Sequence, residues 1–260
     1  MRALILAGGL GTRLRSIVSE QPKPMADIES KPFLAHQIEY LKAQGISQVV
    51  LCVGYLHEHV MSYFGSGEKW DIPIAYSVES SPLGTGGALK HAERYINDTF
   101  LLLNGDSFFD IDLSQLVEFH EAKKTTDPHC VGTVALAAVP DVSRYGSVQL
   151  DDDLQILNFI EKGALGLTDT GEVEATSGLI NAGIYVLEPG ILAVIPSAQK
   201  VSIERTVFPW LINNDLHLYG YESDDFFVDI GTPEGYYEFC TYVRQRSNGA
   251  SNEQLSRIGA

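Results

Sequence analysis

Short apolar runs alternate with amphipathic stretches through the first half of the chain. The strand-like runs are ALILA, QVVLCVG, IPIAYSV and TFLLLNGD. The stretches that predict helices are PFLAHQIEYLKAQG, EHVMSYFG, GGALKHAERYI and LSQLVEFHEAKK. In the first of these, Leu34, Ile38 and Leu41 lie at helical spacing before Gly45. Strict alternation predicts βαβ units and a parallel sheet covered on both faces, with ligands bound beyond the carboxyl ends of its strands.

The second half of the chain is richer in predicted strands. They are VGTVALAAV, GSVQL, QILNFIEK, NAGIYVL and LHLYGYE, and we predict helices near 189–195, 202–213 and 233–245. The polar stretch 163–178 is typical of a mobile loop, and the polar residues from Ser247 are typical of a frayed tail. We therefore expect one domain over 1–246 and a polar tail over 247–260.

Composition narrows the class of protein. The 260 residues carry a net charge of −16 and no basic stripe, which argues against a nucleic-acid partner. No run of about 18 apolar residues indicates a membrane span, and the first residues lack the pattern of a signal peptide. Cys52, Cys130 and Cys240 are too scattered for a disulfide framework or a zinc site. We expect a soluble cytoplasmic protein.

A glycine-rich turn follows the first predicted strand, in LAGGLGTRL. The groups there and just beyond that suit phosphate oxygens are Gly8, Gly9, Gly11, Thr12, Arg13 and Lys23. Leu14 stands where a dinucleotide-binding fingerprint needs its third glycine, and the Gly-Lys-Ser/Thr of a P-loop is absent from this turn. Taken alone, the turn fits either a phosphate site or an ordinary βα turn with basic surface residues.

Two aspartates follow apolar runs far apart in the chain. Asp106 ends TFLLLNGD, and Asp229 lies in FFVDIG. Carboxylates from two segments that meet at one edge of a sheet suit Mg²⁺, which takes one or two carboxylates together with phosphate oxygens. Asp106 equally fits a turn residue in NGD, and Asp229 fits the capping region of the next helix.

Seven motifs, taken together and in order, resemble those of the sugar-1-phosphate nucleotidylyltransferases. They are LAGGLGTRL with PKPM, LGTGGAL, LNGDSFFD, YGSV, FIEK, NAGIY and VDIGTPEGY, and they extend from residue 2 to about residue 240. The resemblance implies an α/β fold, a Rossmann-like three-layer αβα arrangement with a mixed, mostly parallel central sheet. It also implies transfer of a nucleoside monophosphate from a nucleoside triphosphate to a sugar 1-phosphate, with release of pyrophosphate and with Mg²⁺ as cofactor.

The resemblance also implies roles for individual residues. Arg13, Lys23 and Asp106 match catalytic positions, and Asp106 and Asp229 match the metal aspartates. The nucleotide-binding positions are Leu6, Gly8, Gly9, Gly11, Thr12, Arg13, Lys23, Leu83, Gly84, Thr85, Gly105 and Asp106. The positions that match contacts to the sugar phosphate are Tyr145, Gly146, Glu161, Lys162 and Asn181. We expect small-molecule substrates as partners and leave a homo-oligomer open.

Within the family, GTRLRSIVSEQPKPM, NGDSFFDID and SGLINAGIY look like the branch that transfers GMP to D-glycero-α-D-manno-heptose 1-phosphate. The guanine base rests on this analogy alone. A mannose-1-phosphate guanylyltransferase and a glucose-1-phosphate thymidylyltransferase stay open as alternatives, as does a regulatory subunit that binds a sugar nucleotide without catalysis. EKG replaces the frequent E-K-P of the family beside the sugar pocket, which leaves the sugar the least determined part of this prediction.

Overall fold

A seven-stranded sheet forms the centre of the molecule. The computed structural model describes residues 1–9, 22–142, 145–161 and 177–258. The strands in these ranges are β1 (Arg2–Leu6), β2 (Asp27–Ile28), β3 (Lys31–Pro32), β4 (Gln48–Val53), β5 (Ile74–Val78), β6 (Phe100–Asn104), β7 (Ser107–Phe109), β8 (Cys130–Val139), β9 (Gly146–Leu150), β10 (Ile156–Glu161), β11 (Gly178–Leu187), β12 (His217–Ser223) and β13 (Phe227–Asp229). The main sheet has the order β12-β8-β11-β6-β1-β4-β5.

The main sheet is mixed and mostly parallel, which confirms the prediction. Strand β1 pairs in parallel with β4 and β6, and β4 pairs in parallel with β5. Strand β11 runs antiparallel to both β6 and β8, and β12 runs parallel to β8. The antiparallel β11 is the element that makes the sheet mixed.

Helices cover both faces of the sheet because its central strands are apolar on both sides. In β1, Ala3 and Ile5 face one core cluster while Leu4 faces the other. The α-helices of the described ranges are α1 (Phe33–Ala43), α2 (His57–Phe64), α3 (Gly84–His91), α4 (Leu113–Thr126), α5 (Phe208–Asn213) and α6 (Pro233–Ile258). Residues of α1, α2 and α4 pack on the first face and those of α3 and α5 on the second. The predicted three-layer αβα fold is confirmed.

A third apolar cluster lies beside the main sheet and orients a small strand pair. Strand β13 pairs antiparallel with β7, with Asp229 opposite Ser107. Phe108 and Val228 from this pair are buried with Phe33 of α1 and Phe239 of α6. The sequence did not predict β7 or β13, because three residues are too few to show an alternating pattern.

The predicted elements of the second half differ from the observed ones in detail. The helix predicted at 202–213 is a π-helical turn at Ile203–Val207 that continues into α5, and the helix predicted at 189–195 is the 3₁₀ helix Pro189–Val194. The helix predicted to end at residue 245 continues as α6 to Ile258, so its end was predicted too early. Most of the predicted loop 163–178 lies outside the described residues.

The three cysteines are unpaired and buried, as small apolar residues would be. Within the described ranges, no helix combines the length and apolar character needed to cross a bilayer.

Candidate active site

Gly8, Gly9 and Asp106 lie at the same edge of the sheet. Leu6 and Asn104 are register partners at the ends of β1 and β6. The backbone N–H of Gly105 donates to the carbonyl oxygen of Leu6 at 3.0 Å. A Cβ atom on Gly105 would lie 2.6 Å from that oxygen, so only glycine allows the two chains to approach this closely. Gly8, Gly9 and Asp106 are thereby held at the carboxyl ends of neighbouring parallel strands.

The two predicted metal aspartates meet at Lys23. Strands β7 and β13 bring them together, and the backbone N–H of Ile230 donates to the carbonyl oxygen of Asp106 at 3.0 Å. The Nζ atom of Lys23 lies 2.7 Å from Oδ2 of Asp106 and 3.7 Å from Oδ1 of Asp229. The Lys23 side chain is 8% exposed and that of Asp106 is 41% exposed, so the carboxylate faces the cleft while the lysine lies beneath it.

The donor set at this point fits a divalent cation. Two carboxylates from separate segments supply the hard oxygen ligands that Mg²⁺ prefers. Asp229 is oriented by the backbone N–H of Gly231, which donates to its Oδ1 atom at 2.6 Å. A Cβ atom on Gly231 would lie 2.5 Å from Nζ of Lys23 and 2.6 Å from Oδ1 of Asp229, and would crowd both groups. Asp106 and Asp229 are therefore the residues that would hold the metal.

A cleft of about 420 Å³ opens in front of these groups. Eight residues predicted to bind nucleotide line it: Leu6, Gly8, Gly9, Lys23, Gly84, Thr85, Gly105 and Asp106. Gly11, Thr12 and Arg13 lie outside the described residues, so the basic part of the predicted phosphate site is represented by Lys23. The sequence did not predict the remaining lining residues, which are Pro24, Glu79, Pro82, Ala88, Asn104 and Lys200.

The start of α3 forms one wall of the cleft, and its glycines also allow a second segment of the chain to pack closely against it. Gly84 has a φ of +71°, and a Cβ atom there would lie 2.5 Å from the carbonyl oxygen of Val201. A Cβ atom on Gly87 would lie 2.5 Å from the carbonyl oxygen of Gln199. These glycines thus admit the 199–201 segment, which also brings Lys200 to the cleft.

Thr85 lines the cleft, but its hydroxyl already has protein partners. It donates to Oε2 of Glu204 at 2.8 Å and accepts the backbone N–H of Ile203 at 2.8 Å. Ser202 also donates to Oε2 of Glu204 at 2.8 Å. The hydroxyl of Thr85 joins α3 to the π-helical turn, so the side chain positions the wall of the cleft.

Glu79 is a functional candidate that sequence reasoning missed. It follows β5, is 9% exposed, and lines the cleft. Its Oε2 atom accepts the backbone N–H of Leu83 at 3.2 Å. Burial raises the pKa of Glu79, and the Leu83 N–H and the charge of His91 partly oppose that rise. An acidic residue directly after a buried strand was the available signal.

The residues predicted to face the sugar phosphate are only partly described. Gly146 and Glu161 are register partners at the ends of β9 and β10, and the Tyr145 ring packs edge-on against Phe227 at 5.8 Å. Asn181 donates to the Tyr185 hydroxyl at 2.9 Å and accepts the backbone N–H of Gly183 at 2.9 Å. Lys162 lies outside the described residues, as does the side chain of Glu161.

Asn181 is connected through Gly183 to the edge of the sheet that carries Asp106. Gly183 has a φ of +77°, and a Cβ atom there would lie 2.7 Å from Nδ2 of Asn104 and 2.8 Å from Oγ of Ser107. The pairing of β11 with β8 shifts register between Asn181 and Tyr185, and this irregular part of the strand therefore packs on the residues either side of Gly105 and Asp106. Asn181 and the two aspartates belong to one continuous region of the molecule.

Comparison with known proteins assigns the family. The model of the nucleotidyl transferase family matches residues 2–246, and the chain belongs to this family. The chain is 43% identical to a D-glycero-alpha-D-manno-heptose 1-phosphate guanylyltransferase of Campylobacter jejuni, across 92% of this chain and 98% of that protein. It is 41% identical to the protein of the same name in Aneurinibacillus thermoaerophilus, across 91% of this chain and 95% of that protein.

A solved structure has a similar fold. The crystal structure of HddC from Yersinia pseudotuberculosis complexed with GMP-PN superposes with a TM-score of 0.77. The two sequences are 32% identical over 93% of this chain and 99% of that chain. The predicted family is confirmed, and the protein is an enzyme of the nucleotidyl transferase class that acts on small molecules.

Proposed function

We propose that this enzyme transfers GMP from GTP to D-glycero-α-D-manno-heptose 1-phosphate, which forms GDP-heptose and pyrophosphate. The observation that carries the proposal is the meeting of Asp106, Asp229 and Lys23 beside a cleft that Gly8 and Gly9 line. The names of the relatives at 43% and 41% identity supply the substrates.

The reaction is a direct displacement at phosphorus. A phosphate oxygen of the sugar phosphate attacks the α-phosphorus of GTP, and the bond from that phosphorus to the bridging oxygen of pyrophosphate breaks. The sugar phosphate is mostly ionised at neutral pH, since its second pKa is about 6. Catalysis therefore depends on aligning the attacking phosphate oxygen with the α-phosphorus and on neutralising the charge of the phosphates, more than on a protein nucleophile.

The proposed roles rest on the positions of the described residues and, for Gly11, Arg13, Glu161 and Lys162, on the family motifs alone. Lys23 and Arg13 bind oxygens of the triphosphate, and the N–H groups of Gly8, Gly9 and Gly11 border the same phosphates. Asp106 and Asp229 would hold Mg²⁺, which would neutralise charge on the phosphates. Tyr145, Gly146, Glu161, Lys162 and Asn181 form the sugar-phosphate side of the site.

Glu79 is proposed to select the base. Guanine presents two neighbouring hydrogen-bond donors, N1–H and the 2-amino group. An ionised carboxylate only accepts hydrogen bonds, so it is complementary to this pair of donors. Uracil and thymine offer a single ring N–H, and adenine has an acceptor at N1. One oxygen of Glu79 is held by Leu83, which fixes the carboxylate in the wall of the cleft. A buried carboxylate at this position therefore favours guanine over the other bases.

Pyrophosphate release tests the proposal directly. The enzyme is assayed with Mg²⁺ across GTP, ATP, CTP, UTP and dTTP, each against heptose, mannose, glucose and N-acetylglucosamine 1-phosphates. Release confined to GTP with heptose 1-phosphate supports the full proposal. Release with another pair keeps the nucleotidyl transfer and overturns the substrates, and no release with any pair from protein that still binds nucleotide overturns the catalytic role.

A further inference from the structure

A cluster of two histidines and an aspartate lies far from the cleft. His129 directly precedes β8, Asp215 lies in the turn after α5, and His217 begins β12. Strands β8 and β12 are parallel to each other, and β8 runs in the direction of β6 because both are antiparallel to β11. The cluster is therefore at the amino ends of these strands, on the sheet edge opposite Asp106.

The separations of the ligand atoms suit a single tetrahedral cation. Nδ1 of His129 lies 3.4 Å from Oδ2 of Asp215, and Nε2 of His217 lies 3.5 Å from Oδ1 of Asp215. One ligand atom from each of the three residues lies within 4.8 Å of the others. Two ligands about 2.0 Å from one tetrahedral zinc ion lie about 3.3 Å apart, so small side-chain movements bring all three to the metal.

A carboxylate behind the cluster orients one of the imidazoles. Oδ2 of Asp127 accepts a hydrogen bond from Nδ1 of His217 at 2.7 Å and another from the Tyr219 hydroxyl at 2.9 Å. Its Oδ1 atom accepts the backbone N–H of His129 at 2.9 Å. Because the proton of His217 is then on Nδ1, the lone pair of Nε2 points toward Asp215. Metal-binding histidines commonly have such a carboxylate partner.

His129 is held less firmly than His217. Its Nδ1 atom lies 2.7 Å from the backbone carbonyl oxygen of Asp215 and can donate a hydrogen bond to it. A metal at this nitrogen replaces that hydrogen bond, while the ring stays stacked on His217 at 5.5 Å between centroids. The Asp215 side chain is 80% exposed, so a cation reaches the cluster from solvent without opening the fold.

We infer that His129, Asp215 and His217 form a zinc-binding site, with water as the fourth ligand. Imidazole nitrogens suit Zn²⁺ and related transition-metal ions, whereas Mg²⁺ prefers oxygen ligands throughout, so the cluster and the aspartates of the cleft select different metals. The bound ion joins the start of β8 to the start of β12. It stabilises the edge of the sheet and takes no part in nucleotidyl transfer.

Zinc titration of the full chain without an affinity tag tests the inference. Zn²⁺ is titrated in millimolar Mg²⁺ against a chromogenic chelator, and we expect one ion per chain and a higher melting temperature. Asp215→Asn and His217→Ala should each weaken zinc binding at least tenfold and remove the thermal shift. His59→Ala, at an exposed histidine of α2, should change neither quantity.

Asp215→Asn keeps the test valid if His217→Ala does not fold, because Asp215 is exposed and asparagine tolerates its φ of +58°. Zinc binding that persists unchanged in Asp215→Asn overturns the inference. So does binding that is lost in Asp229→Asn and not in Asp215→Asn, which would place the ion in the cleft. Failure of wild-type protein to bind Zn²⁺ under these conditions also overturns it.

Discussion

Lys23 is a buried cation placed between two carboxylates in a protein of net charge −16. Its side chain is 8% exposed, and its ammonium lies 2.7 Å from Asp106 and 3.7 Å from Asp229. A buried charge needs a partner to offset its desolvation, and the two aspartates supply it. Lys23 and Asp106 line the cleft, and Asp229 lies next to Lys23, so phosphates and a divalent cation in the proposed site would neutralise one another here.

Removal of either metal aspartate should stop turnover without unfolding the protein. Asp106→Asn and Asp229→Asn would each remove a proposed metal ligand worth several kcal/mol of charge stabilisation, so we expect kcat to fall at least about 100-fold. Steady-state pyrophosphate release measures the loss, and circular dichroism checks the fold. Asp152→Asn, at an exposed aspartate, is the matched control. Near-normal turnover of either site variant would exclude that carboxylate from the metal site.

Replacement of Glu79 should affect the use of GTP selectively. Glu79→Gln keeps an oxygen for the Leu83 N–H but presents an amide in place of a carboxylate to the guanine donors. We expect a loss of about 1–3 kcal/mol, or about 5- to 150-fold in kcat/KM for GTP, with a smaller effect on KM for the sugar phosphate. A larger effect on the sugar phosphate would refute the placement of the base.

The pH dependence of GTP use should follow from the same carboxylate. Burial raises the pKa of Glu79, so its protonated form persists to higher pH than for an exposed glutamate. Because only the ionised form accepts both guanine donors, kcat/KM for GTP should increase as pH rises through that pKa. The Glu79→Gln variant should lack this step.

At the scale of elements, α1 fixes the turn that carries Asp106. Gln37 is 2% exposed, and its Nε2 atom donates to the carbonyl oxygens of Asn104 at 2.8 Å and Ser107 at 2.9 Å. These carbonyls flank Gly105 and Asp106. The helix thereby holds both ends of the turn between β6 and β7, and with it the position of Asp106.

Loss of the Gln37 amide should lower both stability and activity. Gln37→Met preserves much of the side-chain volume but removes the donor to two buried carbonyls, so we expect the free energy of unfolding to fall by about 2 kcal/mol or more. Urea denaturation gives the stability, and pyrophosphate release gives kcat. Gln149→Met, at an exposed residue of β9, is the control. If stable Gln37→Met protein has an unchanged kcat, α1 is not needed to position Asp106 for catalysis.

Helix α4 is joined to the sheet through a buried histidine. His120 is fully buried, with Nδ1 at 3.0 Å from the Thr133 hydroxyl and Nε2 at 3.2 Å from Oε1 of Glu188. Burial lowers the pKa of His120 below its ordinary value of 6.5, although Glu188 opposes this shift. The folded protein therefore binds this proton less readily than the unfolded chain does.

This histidine should make the protein less stable in mild acid. As pH falls below about 6.5, the unfolded chain takes up the proton first, so the contribution of His120 to the free energy of unfolding decreases. Urea denaturation from about pH 7.5 to about pH 5.5 measures the slope. His120→Gln should reduce that slope relative to wild type. An identical slope in the two proteins would show that His120 does not titrate in this range.

At the scale of the whole molecule, α6 packs the C-terminal part of the chain against the strands that carry the candidate active site. Phe239 is 1% exposed and packs against Phe33 and Phe108, next to the strand that carries Asp229. Farther along α6, Arg246 donates a hydrogen bond to Oδ2 of Asp110 at 2.7 Å and so attaches the helix to the segment that follows β7. We therefore keep the prediction of a domain over 1–246, although α6 itself extends further.

A chain that ends after Arg246 should retain its melting temperature and kcat, whereas Phe239→Ala should lower the free energy of unfolding by about 3–5 kcal/mol. Thermal denaturation and pyrophosphate release measure both variants. Loss of activity on truncation would show that residues 247–260 belong to the catalytic unit.

The chain sequence by itself determined the layers of the fold and most of the cleft. Continuous apolar strands such as ALILA and LLL predict a sheet buried on both faces, and the two core clusters confirm it. Lys23, Gly105 and Asp106 could be predicted because each lies within a few residues of a recognisable strand or motif. Asp229 could be placed beside Asp106 because both end apolar runs and the family pattern relates them.

Only the tertiary structure decided the roles of Glu79, Gln37 and the histidine cluster. From the sequence, Glu79 is a polar residue that follows a predicted strand, and only the structure shows that it lines the cleft. Gln37 is likewise an amide on a predicted amphipathic helix, and only the structure shows its hydrogen bond to the Asn104 carbonyl. His129 and His217 are separated by most of the second half of the chain and meet because β8 and β12 are neighbours. Local patterns specify strands and helices, since these depend on neighbouring residues. Contacts between distant side chains depend on the order and register of strands, which the spacing of residues does not encode.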